Sequence, residues 1–172
     1  MIIRGELLID NISGDYSSPN CKLGRMVENG EIIRLRRGLY ETDPTTPPFL
    51  VANDIFGPSY ISFEYALSWH GVIPEGVVSV TSATYGKRRM VRFTNPLGTF
   101  WYMDIPKRVF EIGVQEWCMD DRKCMIATKE KAVCDKLYKM PPVNSLDDIE
   151  ALMFEDLRFD EDEILSMDLD LI

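Results

Sequence analysis

Alternating apolar and basic residues predict a β-hairpin near the start of the chain. Between residues 32 and 39 the apolar positions are separated by Arg34 and Arg36, a pattern typical of a strand with one buried face and one exposed face. The Arg37–Gly38 pair predicts a tight turn, and residues 39–42 predict the returning strand. The hairpin would therefore carry basic side chains on its exposed face and at its tip.

Helical periodicity precedes this hairpin. Apolar residues between positions 2 and 12 predict a short amphipathic helix, frayed at Gly5. Ser18 followed by Pro19 predicts a second helix that is capped by the serine hydroxyl and runs to about Asn29. Its core face would use Cys21, Leu23, Met26 and Val27, with Lys22 and Arg25 on the outer side. Helix, hairpin and basic turn together match a small winged-helix pattern.

A proline-rich segment predicts a boundary. Residues 43–48 read DPTTPP, and three prolines in six residues are incompatible with a helix interior or a central strand. We therefore expect an α+β chain with a small N-terminal winged-helix module at 1–43 and a mixed α/β domain at 48–172. In the second part the pattern predicts helices at 49–56, 63–70, 129–140 and 146–157, with strands at 77–82, 90–94, 99–105, 109–114 and 124–127.

Composition narrows the class of protein. Of the 172 residues 45% are apolar, enough for a packed core, and no apolar run approaches the 18 residues of a membrane span. The N-terminus does not read as a secretory signal, so the expected location is the cytoplasm. The chain has four cysteines without paired spacing and a single histidine, so we expect no metal site. It contains no phosphate-binding loop and no dinucleotide-binding motif, so we expect no cofactor.

Charge is distributed unevenly. The net charge of −9 resides almost wholly in residues 143–172, where eleven acidic residues face one arginine. Residues 1–42 are neutral overall, and residues 43–142 carry one net positive charge. Because local clusters decide electrostatic recognition, a low overall pI does not exclude nucleic-acid binding.

Two basic clusters are candidate binding sites. The first would place cations from a recognition helix and a wing against DNA bases and phosphates, and its residues are Lys22, Arg25, Arg34, Arg36 and Arg37. The alternative is a solvated hairpin whose arginines pair with Glu31 and Glu41.

The second basic cluster follows a predicted strand. It comprises Lys87, Arg88, Arg89 and Arg92, and Tyr85 lies close enough in sequence to stack on a base. Its alternatives are a solvated hairpin tip and an internal partner, the acidic C-terminal tail folded back onto it.

An enzymatic interpretation rests on few residues. Asp104 together with Asp121 and Lys123 has the residue types of a metal-dependent nuclease. Such a spacing arises easily by chance in a chain that is 27% charged. His70 has no recognisable nucleophile beside it. We expect it to cap or pack the C-terminal end of the helix that stops at Gly71. We therefore expect no enzymatic activity.

Three segments in order resemble the AbiEi-like antitoxins, the regulators of type IV abortive-infection toxin–antitoxin pairs. The first is the wing ending in Gly38-Leu39-Tyr40. The second is a Tyr-Ile-Ser segment and helix, matched by Tyr60, Ile61, Ser62, Ala66, Leu67, His70 and Gly71. The third is a later helix, matched by Ala127, Lys131, Ala132 and Asp135.

This resemblance implies a function. It implies an N-terminal winged helix-turn-helix that binds the protein's own operator, and a C-terminal domain that counters a nucleotidyltransferase-like toxin, directly or through the toxin's target. The segment before Pro19 has room for one helix, so a reduced winged helix that binds protein instead of DNA is the second hypothesis. A metal-dependent nuclease is the third.

Overall fold

Two separate β-sheets organise the chain in the computed structural model, which describes residues 1–119, 121–168 and 170. The fold is mixed α+β, as predicted. A three-stranded sheet has the order β1-β3-β2, and a six-stranded sheet has the order β6-β7-β5-β4-β9-β8. The strands are β1 (Ile2–Arg4), β2 (Ile33–Arg36), β3 (Leu39–Glu41), β4 (Tyr60–Ile61), β5 (Val80–Thr84), β6 (Val91–Asn95), β7 (Gly98–Asp104), β8 (Val114–Met119) and β9 (Arg122–Ala127).

Seven α-helices connect and cover these sheets in the described residues. A 3₁₀ turn, Pro48–Val51, leads into α3, and a π-helical stretch, Ala151–Asp156, continues α6. The α-helices are α1 (Gly5–Ser13), α2 (Pro19–Glu28), α3 (Ala52–Ile55), α4 (Phe63–Trp69), α5 (Lys129–Tyr138), α6 (Leu146–Glu150) and α7 (Glu161–Leu165). None in the described part of the chain is long and apolar enough to cross a bilayer.

The first residues form a strand, so the prediction of one helix from residue 2 was wrong. β1 pairs antiparallel with β3, and α1 begins only at Gly5, whose N–H donates to the Gly38 carbonyl at 2.9 Å. A Cβ at Gly5 would lie 3.0 Å from the Tyr40 ring. Residues 2–4 are extended because they pair with a strand about forty residues away, and the local pattern of apolar residues cannot predict such a pairing.

The helix α2 begins at Pro19 as predicted, but its cap and one of its core positions differ. The Ser18 hydroxyl makes no capping hydrogen bond in the structure. Cys21 is exposed, whereas Leu23 is buried in a small core with Leu8, Ile32 and Tyr40. The predicted hairpin is confirmed, with Gly38 at φ 77° in its turn.

This hairpin belongs to two cores at once. Ile32 and Tyr40 face α1 and α2, whereas Ile33, Leu35 and Leu39 join the main core of the larger sheet. The amide of Asn95 also donates to the Leu35 carbonyl at 3.2 Å. The hairpin therefore packs against the larger sheet as well as against α1 and α2. The domain boundary at residues 43–48 stays a prediction.

The larger sheet mixes parallel and antiparallel pairs. β5 with β7 and β4 with β9 are parallel, and the remaining neighbours are antiparallel. The strand predicted at 109–114 was wrong: a 3₁₀ turn occupies Lys107–Val109, and β8 begins only at Val114. Cys118 and Met119 at the end of β8 pair with Lys123 and Arg122 at the start of β9. The helix predicted at 129–140 is confirmed as α5, and the Thr128 hydroxyl caps it by accepting from the Lys131 N–H at 3.3 Å.

Candidate functional site

The first basic cluster is spread over α2 and the hairpin. Lys22 lies half-buried with its ammonium 5.5 Å from the centre of the Tyr16 ring, and Arg25 is exposed one turn later. The hairpin positions of the cluster are all exposed, and they are Arg34, Arg36 and Arg37. Among the described residues, no carboxylate lies within ion-pair distance of these five cations.

The two carboxylates expected to neutralise the wing have other partners. Glu41 is fully buried and receives two hydrogen bonds from the Arg122 guanidinium, at 2.7 and 3.0 Å. Glu31 accepts from the Asn29 amide at 3.0 Å. The alternative in which Glu31 and Glu41 pair with the wing arginines is therefore not what the structure adopts.

A shallow groove runs between α2 and the hairpin. Its volume is about 320 Å³, and its lining includes Arg34 of β2 with Gly24 and Glu28 of α2. Leu23 and Tyr40, both buried, form its base. The helix α2 therefore presents the exposed Asn20 and Arg25 and the half-buried Lys22 next to a cationic strand, with Glu28 as the acidic residue of the same helix.

The second basic cluster occupies the loop before β6 and β6 itself. The Arg92 guanidinium lies 5.0 Å from the Trp101 ring centre, and the Lys87 ammonium lies 4.9 Å from that of Phe56. Arg88 and Arg89 line an open trough of about 590 Å³. The Tyr85 ring packs edge-on against Phe110, with centroids 4.7 Å apart, so it is engaged internally.

In the part of the acidic tail that the structure describes, no ion pair or hydrogen bond joins it to this second cluster, so the alternative of an internal partner is not what the structure adopts. Its polar contacts go to α5 and to the loop that follows α4. Glu163 pairs with Lys129 at 3.1 Å, and Arg158 pairs with Glu75. The Asp160 N–H donates to the Val72 carbonyl at 2.8 Å. Phe159, beside it, is buried in the main core, which fixes the tail on this side of the sheet.

A buried polar cluster connects α5 to β4. The Asp135 carboxylate accepts from the Tyr60 hydroxyl at 2.8 Å and from the Ser62 hydroxyl at 2.7 Å, and it pairs with the Lys131 ammonium at 2.9 Å. Lys131 also donates to the Val109 carbonyl at 2.8 Å. Burial and the adjacent carboxylate raise the pKa of Tyr60, so its hydroxyl remains a donor.

Two segments of the resemblance meet at this cluster. Tyr60 and Ser62 come from the second segment, and Lys131 and Asp135 come from the third. His70 of the second segment lies with Nε2 2.8 Å from the carbonyl oxygen of Ala127, the first residue of the third. His70 thus serves packing at the end of α4, as expected.

A cavity of about 220 Å³ opens beside this cluster. Lys131 and Asp135 lie at its inner end, and its remaining lining is largely apolar, from Pro106, Arg108, Val109, Ile112, Gly113, Cys134 and Tyr138. Burial raises the pKa of the Cys134 thiol, so this side chain is neutral at physiological pH. The lining therefore combines an apolar wall with one buried ion pair.

The residues of the nuclease hypothesis do not form one site. β7, which ends at Asp104, is separated from β9 by two strands, and three inter-strand spacings amount to about 14 Å. Asp104 accepts from the Arg88 N–H at 2.6 Å, and Lys123 pairs with Glu116 at 2.8 Å. Within residues 1–119, 121–168 and 170, no three His, Cys, Asp or Glu side chains are placed to hold a metal ion.

Sequence reasoning missed the burial of three charged side chains, Lys131, Asp135 and Glu41. Lys131 and Asp135 are four residues apart on a helix, the spacing of a stabilising ion pair, yet such pairs usually lie on the surface. Glu41 gave no sign of burial, because its partner Arg122 is 81 residues away in sequence.

A search of protein-family models and of curated proteins finds no match to this chain.

Proposed function

We propose that this chain is a non-enzymatic, DNA-binding transcriptional regulator and antitoxin of the AbiEi-like kind. It would repress its own operon and counter a nucleotidyltransferase-like toxin. The observation that carries the proposal is the N-terminal arrangement: a helix pair is followed by a hairpin, and five cations on these elements have no carboxylate partner in the described residues.

The order of elements suits a winged helix whose recognition helix is α2. Residues 14–18 join α1 to α2, and a short turn containing glycine is typical of helix-turn-helix pairs. With α2 in the major groove, Lys22 and Arg25 would face base edges. Arg36 and Arg37 at the hairpin tip would reach flanking phosphates, for which the planar guanidinium is well suited.

The antitoxin half of the proposal rests on the resemblance in the C-terminal part. Its support is that the second and third segments pack on each other through Tyr60, Ser62, Lys131 and Asp135. Segments that resemble a family and also form one buried cluster fit a common fold better than isolated matches do. A nucleotidyltransferase-like reading frame beside this gene, whose product arrests growth unless this chain is co-expressed, would test it.

A second candidate is a protein-binding module that does not bind DNA. It is favoured by the neutral net charge of residues 1–42, because DNA-binding modules are commonly basic. The two candidates differ in their dependence on salt. DNA binding through phosphate contacts weakens steeply as salt rises, since condensed counterions are released, whereas a largely apolar protein contact does not.

We expect the double substitution Arg36→Ala, Arg37→Ala to weaken DNA binding without unfolding the protein. Both side chains are exposed, and exposed substitutions usually change stability by less than about 0.5 kcal/mol. If each arginine neutralises one phosphate, the slope of log affinity against log salt becomes shallower by about 1.8. Titration of upstream duplex DNA without terminal phosphates, at several salt concentrations, measures this slope.

The matched control is Arg88→Ala with Arg89→Ala, which removes the same charge from the C-terminal part. This control is expected to keep the wild-type slope. Lys22→Ala or Arg25→Ala should instead change which DNA sequence is preferred. An unchanged slope in the Arg36→Ala, Arg37→Ala variant would show that the hairpin does not contact DNA phosphates, and it would favour the protein-binding candidate.

A further inference from the structure

The cavity beside Lys131 and the trough beside Arg88 share two lining residues, Pro106 and Tyr138. We propose that together they bind a nucleoside phosphate, either free or at the end of a nucleic-acid strand. The base would enter the cavity and the phosphate would lie in the trough. This site is separate from α2 and the hairpin, and the inference does not depend on operator binding.

The cavity has the size and lining for a flat ring. Its volume is about 220 Å³, and an apolar cavity of about 150 Å³ is enough to take up benzene. Val109 and Ile112 supply apolar carbon, and the exposed Tyr138 ring stands at the junction with the trough. Ring-sized cavities lined mostly by carbon, with a few convergent polar groups, are typical of small-ligand sites.

The polar end of the cavity can recognise the edge of a base. Lys131 is only 6% exposed, and two of its three N–H groups go to Asp135 and to the Val109 carbonyl. An ammonium group has three donors. One remains for an acceptor on a ligand, such as a ring carbonyl or ring nitrogen. The ion pair with Asp135 holds Lys131 in place, so binding would require little rearrangement.

The trough supplies the cations for a phosphate. Arg88, Arg89 and Lys139 all line the trough, and Arg108 lines the adjoining cavity. No carboxylate of the described chain pairs with these four side chains. Asp104, the acidic residue in the lining, accepts from the Arg88 backbone N–H through Oδ2, and its Oδ1 is buried without a partner in the described chain. A chain of net charge −9 thus keeps a cationic trough beside an apolar cavity.

One residue of the trough has an uncommon backbone conformation. Arg88 has φ 60°, a left-handed conformation that is uncommon for residues other than glycine. Its hydrogen bond to Asp104 fixes this conformation and leaves the guanidinium exposed. Strain of this kind is concentrated at binding sites, where the surrounding structure maintains it.

A nucleotide fits these features better than an extended polyanion does. A DNA duplex or an acidic protein surface would need only the exposed cations and would leave the ring-sized cavity unused. A nucleoside phosphate uses both parts, because its flat base and its phosphate differ in polarity and are joined at a fixed separation. The site therefore favours a ligand with one aromatic end and one anionic end.

The test is calorimetric titration of the full chain with the four ribonucleoside 5′-monophosphates, with inorganic phosphate, and with a 5′-phosphorylated single-stranded oligonucleotide. At least one mononucleotide is expected to bind with a Kd in the micromolar range and far more tightly than inorganic phosphate. A bound nucleotide should also slow alkylation of Cys134, which lines the cavity, as measured on the peptide by mass spectrometry.

Three variants locate the ligand. Arg88→Gln with Arg89→Gln should weaken nucleotide binding about tenfold or more by removing the phosphate contacts. Ile112→Trp, at a position 48% exposed, should fill the cavity mouth and weaken binding similarly. Arg92→Gln removes a charge from the same basic cluster but outside the trough lining, and should leave Kd within about twofold. Circular dichroism of each variant checks that it is folded.

The outcomes separate free nucleotide from a strand end. Tight mononucleotide binding lost in both trough and cavity variants supports a free nucleotide. Oligonucleotide binding that requires the 5′-phosphate and is lost in the same variants supports a strand end. Oligonucleotide binding that persists in Ile112→Trp but is lost in Arg92→Gln would contradict the proposal that the base enters the cavity. Absence of binding by every probe up to about 5 mM would overturn the proposal entirely.

Discussion

Asp135→Ala is expected to lower the free energy of unfolding by about 4 kcal/mol, the largest single effect that the structure predicts. The substitution leaves the buried Lys131 ammonium without its counterion, which costs about 3–5 kcal/mol. It also removes the acceptor of the Tyr60 and Ser62 hydroxyls. Because small proteins are stable by only about 5–15 kcal/mol, urea unfolding should show a large fall in the transition midpoint.

A double-mutant cycle distinguishes the ion pair from general damage to the core. Asp135→Asn removes the charge and keeps an acceptor oxygen, and Lys131→Met removes the ammonium and keeps a stem of similar length. If the two groups stabilise each other, the double variant should be more stable than the sum of the two single losses implies, by about 1 kcal/mol or more. Strict additivity would mean that the pair makes no mutual contribution.

Glu41→Ala is expected to cost about 3 kcal/mol. Glu41 is fully buried, and Arg122 contributes two hydrogen bonds to it from across the boundary between the N-terminal hairpin and β9. Removing the Glu41 carboxylate leaves the Arg122 guanidinium without its counterion, which destabilises the folded state. Because Arg122 is 26% exposed, hydration by water offsets part of this loss. Lys123→Ala, which breaks an exposed ion pair on the same strand, is the control and should cost less than about 1 kcal/mol.

The contribution of Glu41 should also depend on pH. Burial alone would raise the pKa of this carboxyl, but hydrogen bonds from Arg122, the Met1 nitrogen and the Asp43 N–H outweigh it and lower the pKa from 4.5 to about 2. A lowered folded-state pKa stabilises the protein above pH 4.5, and this stabilisation is lost as pH falls through about 2. The full span corresponds to about 3 kcal/mol.

The measurement compares the wild type with Glu41→Gln, whose amide does not titrate in this range. The stability difference between the two proteins should be largest near neutral pH and should shrink steadily as pH falls below about 4.5. A difference that stays constant from neutral to strongly acid pH would show that Glu41 carries no linked proton.

Local patterns predicted the elements whose neighbours in sequence determine them. The hairpin followed from alternation and from Arg37–Gly38. The helix α5 and the neighbouring strands β6 and β7 followed from the pattern of apolar positions in the second part of the chain. The charge of the two basic clusters and the exposure of the wing arginines were likewise predictable, because long basic side chains are seldom buried without a partner.

What the sequence did not reveal depends on contacts between distant segments. β1 is a strand because residues 39–41 lie beside it, and Glu41 is buried because Arg122 reaches it from β9. The cavity exists because the 3₁₀ turn Lys107–Val109 passes over α5. Neither periodicity nor residue type carries such information, so the candidate ligand site could be found only once the fold was known.

The hairpin shared by the two cores has a mechanical consequence. Ile33, Leu35 and Leu39 pack in the main core, and Tyr40 packs in the small one, so the hairpin joins α2 to the six-stranded sheet through contacts outside the proline-rich segment. The orientation of α2 relative to that sheet is therefore set by the packing of the hairpin. In any assembly of several copies, the spacing and angle between their α2 helices would be set by how the six-stranded sheets are joined, and lengthening residues 43–48 would leave that arrangement unchanged.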